Sequence, residues 1–314
     1  MPRKLKADLA LIGCTIIWGV TFVIVKDALA DASVFVFLVL RFAVAAAVLA
    51  IIYKRELHDM SAGAARAGFL IGCLLFAGFG FQTVGLRFTT PSKAAFITGF
   101  SVILVPLLLS LFGARRINLA VWVGALSAFA GLYYLTAPAH NDPVRYGAQS
   151  SAHAVAQSAN FNLGDLLVLC CAIVFAVHVI AIGHFSPRYS PGVLTLVQVA
   201  VAAVLSAIAI PLMSVSRLEP PRLAATPRLA FAIVTTGLFA TALAFLGQVW
   251  AQQYTTSSHT AIIFALEPVF AGLTSFAFYH ERLGMRGLIG AALILAGIVL
   301  AELRGPAQTP IELT

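Results

Sequence analysis

Apolar residues in this chain fall into long blocks, and polar or turn-forming residues are confined to the pieces between them. A helix needs about 20 mostly apolar residues to cross the hydrocarbon of a bilayer. Ten blocks reach that length, at 8–27, 33–53, 67–87, 94–113, 118–136, 164–184, 192–213, 228–250, 258–279 and 284–303. Pieces such as "YKRELHDMSAG", "RFTTPSK", "SPRYSPG" and "SRLEPPRLAATPR" separate them. One break is long: residues 137–163, "APAHNDPVRYGAQSSAHAVAQSANFNL", are polar and rich in Ala, Ser and Gln, and read as a flexible linker. The pattern predicts an all-α polytopic membrane protein of ten transmembrane helices, five on each side of the linker, with 305–314 as a C-terminal tail.

The two five-helix halves, 1–136 and 164–304, repeat each other. At a spacing of 157, Asp8 falls on Asp165, Cys14 on Cys171, Trp18 on Phe175, and "AVAAA" at 43–47 on "AVAAV" at 200–204. At a spacing of 166, Phe79 falls on Phe245, Gln82 on Gln248, and "TTPSKAAFI" at 89–97 on "TTSSHTAII" at 255–263. The same register pairs Arg116 with Arg282, Gly124 with Gly290 and Gly131 with Gly297. Shared apolar composition does not place glutamines, threonine pairs, an arginine and two glycines in one register. Each repeat holds an odd number of spans, so the second enters the membrane upside down. That is the inverted-repeat plan of secondary transporters, with the substrate site at the repeat interface near the bilayer midplane.

Composition agrees. The chain is 61% hydrophobic and 10% charged, against about 45–50% apolar and about 25% charged in soluble domains. The net charge of +8 is scattered between apolar runs with no basic arm or stripe. It points to orientation in the bilayer and contact with anionic headgroups, not to nucleic acid. In the first half Arg3, Lys4, Lys6, Lys54, Arg55, Arg66, Arg115 and Arg116 outnumber Lys26, Arg87 and Lys93 on the opposite side, which favours cytoplasmic termini. The second half carries the reverse bias through Arg217, Arg222, Arg228, Arg282 and Arg286. The basic start followed by an apolar run has no convincing cleavage site, so it reads as a retained first helix. Cys14, Cys73, Cys170 and Cys171 lie inside apolar runs and read as small buried hydrophobes.

"IIWGVTFVIVKDAL", "FLVLRF", "AAFITGFSVILVPLL" and "EPVFAGLTSFAFYHERLGMRGLIGAALILAGIVL" resemble the EamA-like branch of the drug/metabolite transporter superfamily, in both halves. The resemblance implies a ten-helix, two-repeat carrier. It also implies a central cavity walled by the first, third, fourth, sixth, eighth and ninth spans, and export of amino acids, other small metabolites or toxic compounds. An inner-membrane location in bacteria is likewise implied only by the resemblance. The chain departs from the pattern where Arg115-Arg116 stands opposite Glu281-Arg282, and Val102 opposite Pro268.

A few residues could carry chemistry. Glu267 and Pro268 sit together inside an apolar run. A mid-membrane charge costs about 2.5–3.5 kcal/mol on insertion scales and needs a wet cavity, a partner or a proton. Proline frees a backbone carbonyl, which suits a broken helix lining a cavity. Glu267 therefore reads as a coupling carboxylate, or as a protonated acid holding a kink. His178 is a candidate proton relay or substrate contact, or merely an interhelical hydrogen bond. Phe79 with Gln82 and Phe245 with Gln248 each place an aromatic ring and an amide on one helix face, which makes a plausible substrate-binding lining. Trp18, Thr21 and Phe22 share a face of the first span, with Phe175 the repeat partner of Trp18. Thr98 completes the binding candidates. Arg41 reads as a structural or gating ion pair, and a carboxylate substrate would turn it into a substrate contact.

No P-loop, GxGxxG or HExxH motif is present, so no nucleotide, metal or other cofactor is implied. The expected partners are a small-molecule solute, the lipid bilayer and a coupling proton. An uncoupled exchanger is the nearest rival. A membrane enzyme would need a convergent catalytic set, and a sensor or scaffold would need neither a polar cavity nor a break at Glu267.

Overall fold

The structure is a computed structural model and describes residues 2–89, 94, 97–112, 118–136, 162–270, 273–274 and 285–304. The linker predicted at 137–163 lies almost wholly outside the described residues, as does the tail at 305–314. All named elements are helical: α1 Arg3–Ala28, α2 Val34–Ile52, α3 Lys54–His58, α4 Ala62–Gly85, α5 Ser101–Leu111, α6 Leu119–Thr136, α7 Leu163–Phe185, α8 Pro191–Val215, α9 Pro227–Thr235, a π-helix Thr236–Leu243, α10 Ala244–Ala251, α11 Ser257–Phe264 and α12 Met285–Arg304.

Six helices are long and apolar enough to cross a membrane: α1, α2, α4, α7, α8 and the continuous Pro227–Ala251. They correspond to the first, second, third, sixth, seventh and eighth predicted spans. Three shorter apolar helices, Ile97–Leu111, Leu119–Tyr134 and Met285–Leu300, match the fourth, fifth and tenth. The ninth, 258–279, is described only in part.

Local chemistry starts these helices. Ser61, Thr226 and Thr256 side chains accept from the N–H groups of Ala64, Leu229 and His259, which would otherwise lack partners. Asn162 and Asp165 form a reciprocal capping box at the start of α7. Pro191 and Pro227 occupy first helical positions, where a missing N–H costs nothing. The interior is closed by Phe37, Leu38, Phe42, Leu75, Phe79, Val199 and Phe245. Large apolar side chains stay uncovered on the outer faces, among them Phe69, Leu126, Ile208, Phe231 and Leu295. Such faces suit lipid, where apolar exposure carries no hydrophobic penalty.

Side-chain contacts set the helix directions. Cys14 and Trp18 of α1 donate to the carbonyls of Ala244 and Ala240, so the two spans run antiparallel. Gly131 of α6 approaches Gly290 of α12, and Gly297 approaches Gly124, so these helices are antiparallel too.

At one end, the connection from α8 to α9 clasps the turn between α1 and α2. Ala32 and Leu223 form an isolated antiparallel bridge. Asp31 takes a two-pronged ion pair from Arg228, at 2.8 and 2.9 Å, and a hydroxyl from Thr226 at 2.7 Å. Glu219 accepts from the Val34 N–H at the start of α2 and from Arg87 at 2.8 Å. The Arg228 hydrogen bonds, then that of Thr226, hold the Asp31 carboxyl below its ordinary value. A depressed folded-state pKa contributes stability above the unfolded value and loses it as pH falls through the folded one. The clasp should therefore hold at neutral pH and loosen only below the usual carboxylate range. We expect Asp31→Asn to speed tryptic cleavage after Arg222 or Arg228 several-fold at pH 7.5, with the variant still folded. Unchanged cleavage would remove Asp31 from the clasp.

Candidate functional site

A cavity is lined by residues from both halves of the chain. Its atom-free space is about 990 Å³, part of it open to the surroundings, and the centre of a water molecule can move through about 110 Å³ of it. The smaller volume is the one to set against ligand cavities, and it approaches the about 150 Å³ of a benzene-sized one. Its aromatic wall is continuous. Trp18 lies 5.4 Å from Phe245 and 5.0 Å from Phe264, ring centre to ring centre. Phe79 stands edge-on to Phe175 at 5.5 Å and to Phe245 at 6.0 Å. His178 packs edge-on to Phe175 and Phe245, at 6.0 and 5.9 Å.

The polar groups are few. One nitrogen of the His178 ring, Nε2, is bonded to Gln198 Oε1 on α8 at 3.0 Å, the interhelical bond that was the plainer reading of this residue. Gln248 donates to Gln252, which donates in turn to the Val179 carbonyl. The other amide atom, Gln248 Oε1, is buried with no hydrogen-bond partner among the described residues. An orphaned acceptor costs about 1–3 kcal/mol. Thr21, Arg41, Gln82, Thr83, Thr98, Ser101 and Glu267 complete the polar lining.

Two helices carry a turn at the cavity. In the second half of the chain α11 ends at Phe264, a turn follows at Ala265–Leu266, and helix resumes at Glu267. Pro268 is accommodated because its missing N–H falls in the opening turn of a new helical segment. At the matching position of the first half, Phe100 makes a single turn of helical backbone inside the apolar helix Ile97–Leu111, without a proline at Val102. Thr98, Gly99 and Ser101 from one turn face the cavity with their repeat partners Phe264, Ala265 and Glu267 from the other.

The span Pro227–Ala251 is distorted rather than broken. Its π-helix carries a Thr241 hydroxyl that donates to the Thr236 carbonyl five residues back, at 2.9 Å. π-Helical turns occur often at functional sites. Here the turn offers the Ala240 carbonyl to Trp18 of α1 at 2.9 Å. Arg41 of α2 meets the same turn, through Thr241 Oγ1 at 2.7 Å. The described partners of Arg41 are neutral, so the ion pair expected of it is not formed among the described residues.

The family model of the EamA-like transporter family matches residues 5–137 and 162–303, nearly all of the chain outside the linker. The chain belongs to that family. An uncharacterized transporter of Archaeoglobus fulgidus is 33% identical over 307 residues, covering 96% of this chain and 87% of the relative. A protein of solved crystal structure has the same fold, with a TM-score of 0.73 at 20% identity, covering 95% of this chain and 96% of its own. This EamA-like chain is thus an integral membrane protein of a transporter family.

The cavity gathers Trp18, Thr21, Arg41, Phe79, Gln82, Thr98, Phe175, His178, Phe245, Gln248, Glu267 and Pro268. Of the residues singled out from the sequence, only Phe22 is not placed, because its side chain lies outside the described residues. Thr83, Ser101 and Phe264 line the cavity without having been singled out. The register that matched Gln82 with Gln248 also matches Ser101 with Glu267 and Thr98 with Phe264, so that signal was in the sequence.

Proposed function

We propose that this chain is a secondary active carrier that moves a small organic solute by alternating access, with export of an amino acid or similar metabolite coupled to a proton. In this reading residues 1–136 and 164–304 are two inverted five-helix repeats joined by the 137–163 linker. Both termini are cytoplasmic in the plasma membrane. The observation that carries the proposal is the composition of the cavity wall. It is built from repeat partners: Trp18 with Phe175, Thr21 with His178, Phe79 with Phe245, Gln82 with Gln248, and Ser101 with Glu267. A site on the pseudo-two-fold between inverted repeats can be opened to either side by equivalent motions. The antiparallel contact of α6 with its repeat partner α12 supports the same plan, since parallel repeats would set those helices parallel.

In this mechanism the aromatic wall takes the apolar body of the solute, and Gln82, Gln248 and Thr98 hold its polar groups. Glu267 exchanges the proton, and His178 sits beside the solute as a second candidate for that role. Arg41 is a fixed positive charge on the wall. The turns at Phe100 and Ala265–Leu266 supply the hinge.

The test is uptake into proteoliposomes of labelled amino acids and small metabolites, with and without an imposed pH gradient. Gradient-driven accumulation of at least one solute is expected. Exchange that ignores the gradient would favour the uncoupled rival. Protein-containing vesicles no faster than empty ones across the panel would remove the carrier reading. A second check needs no substrate. In a chain lacking its four native cysteines, Gln248→Cys should react with a water-soluble thiol reagent and be shielded by a transported solute. Inertness from both sides would take this wall out of the pathway.

A further inference from the structure

Arg41 rises from the middle of α2 and is only 3% exposed, yet its side chain reaches the cavity wall. Two contacts fix its plane. Nε donates to Thr241 Oγ1 at 2.7 Å, and the guanidinium lies 4.4 Å above the Phe79 ring centre. The Thr241 hydroxyl spends its own proton on the Thr236 carbonyl, so it meets Arg41 as an acceptor. The outer edge of the guanidinium is poorly served. Nη2 is 3.4 Å from the Ala240 carbonyl, long for an N–H···O bond, and that carbonyl already receives Trp18. Nη1 makes no hydrogen bond among the described residues.

No described carboxylate answers the charge. Glu267 shares the cavity and forms no salt bridge with Arg41 among the described residues. Asp31 and Glu219 are held by Arg228 and Arg87, and Asp8 by His259. Asp165 is held by Thr89 and the start of its own helix. A guanidinium removed from water without acceptors for its N–H groups is expensive. Its planar fork matches a carboxylate edge-on, through two parallel hydrogen bonds. In this cavity the fork is already oriented, its inner nitrogen is tied back, and its outer edge is empty.

We propose that the Nη1/Nη2 edge of Arg41 is an anion subsite that receives the carboxylate of the solute. The π-helix is the element that aims it. The inference rests on the reading of the cavity as a solute site and adds a ligand class to it: small organic acids whose apolar body packs on Trp18, Phe79 and Phe245. An acid contributes two acceptor oxygens to the edge. A matching amide contributes one oxygen and turns an N–H toward a cation.

The experiment uses purified full-length protein in lipid nanodiscs at pH 7, titrated calorimetrically with cyclohexanecarboxylate and with cyclohexanecarboxamide. The acid is expected to bind saturably and at least ten-fold tighter than the amide. Arg41→Gln should abolish that preference. Arg41→Lys, which keeps the charge and loses the fork, should keep only part of it. Thr241→Val, which frees Nε without changing any charge, should weaken acid binding several-fold and leave amide binding alone. Should Arg41→Gln fail to fold, the wild-type pair and the two milder variants still decide. Equal binding of acid and amide, no saturable acid binding, or an acid preference that survives Arg41→Gln would overturn the subsite. The carrier reading fails separately. Acid binding through Arg41 without flux in proteoliposomes would keep the subsite and lose the carrier, whereas flux of the acid unaffected by Arg41→Gln would do the reverse.

Discussion

Glu267→Gln should abolish solute accumulation driven by a pH gradient while leaving solute exchange in place. The ionisable groups on the described cavity wall are Arg41, His178 and Glu267. Arginine keeps its proton in proteins. His178 has one ring nitrogen committed to Gln198. Glu267 is the group left with both a change of charge available to it and no described hydrogen bond to hold it in one form. It also stands at the first residue of the resumed helix, beside the break that would flex as the cavity changes sides. Glutamine keeps the shape and removes the charge. A pH gradient of one unit stores about 1.4 kcal/mol per proton, enough for about ten-fold accumulation in a one-for-one exchange. The wild type should approach that ratio, and the variant should fall to equal concentrations on both sides. The variant should be at least as stable, since a mid-membrane charge has gone. Equal accumulation by both proteins would make Glu267 a residue of the helix break, and the coupling group would have to be sought elsewhere.

The parts of this site that were legible in the sequence were legible for a physical reason. Lipid allows few polar residues inside a span, so Gln82, Gln248, Glu267, His178 and Arg41 stood out singly, and the repeat register tied several of them together. Ser101 and Phe264 were missed because neither is unusual by itself, although the same register pairs them with cavity residues. The turn at Phe100 was hidden because a proline was the signal sought, and the first half has Val102 where the second has Pro268. The π-helix had no local signature. It depends on the Thr241 hydroxyl reaching back five residues and on donors arriving from α1 and α2. The neutral surroundings of Arg41 were equally out of reach, since they are contacts across about 200 residues of chain. The clasp at Asp31 looked like an ordinary polar connection until two segments far apart in sequence met in an antiparallel bridge.

Adding a single methyl group at Gly131 or Gly297 should destabilise the protein far more than the same addition at Gly13. A Cβ at Gly131 would lie 2.5 Å from the Gly290 carbonyl oxygen and 2.9 Å from the Ile294 nitrogen. One at Gly297 would lie 2.5 Å from the Gly124 carbonyl oxygen and 3.1 Å from the Ala128 nitrogen. These neighbours are backbone and have no rotamer to change, so α6 and α12 must separate. Overpacking of this kind costs about 1–3 kcal/mol, and packing without voids is what holds helices together in lipid. We expect the melting temperature of Gly131→Ala and of Gly297→Ala to fall by roughly 2–5 °C. Gly13, with nothing within 4 Å of an added Cβ, should tolerate alanine or gain slightly from its better helix propensity. The seam also predicts how the two changes combine. Each glycine presses on the repeat partner of the other's neighbour, and either methyl pushes the same two helices apart. Once they have separated, the second methyl meets less resistance, so the double variant should lose clearly less than the sum of the singles. Strict additivity would mean that the two contacts yield independently, and that α6 and α12 do not meet as one symmetric seam.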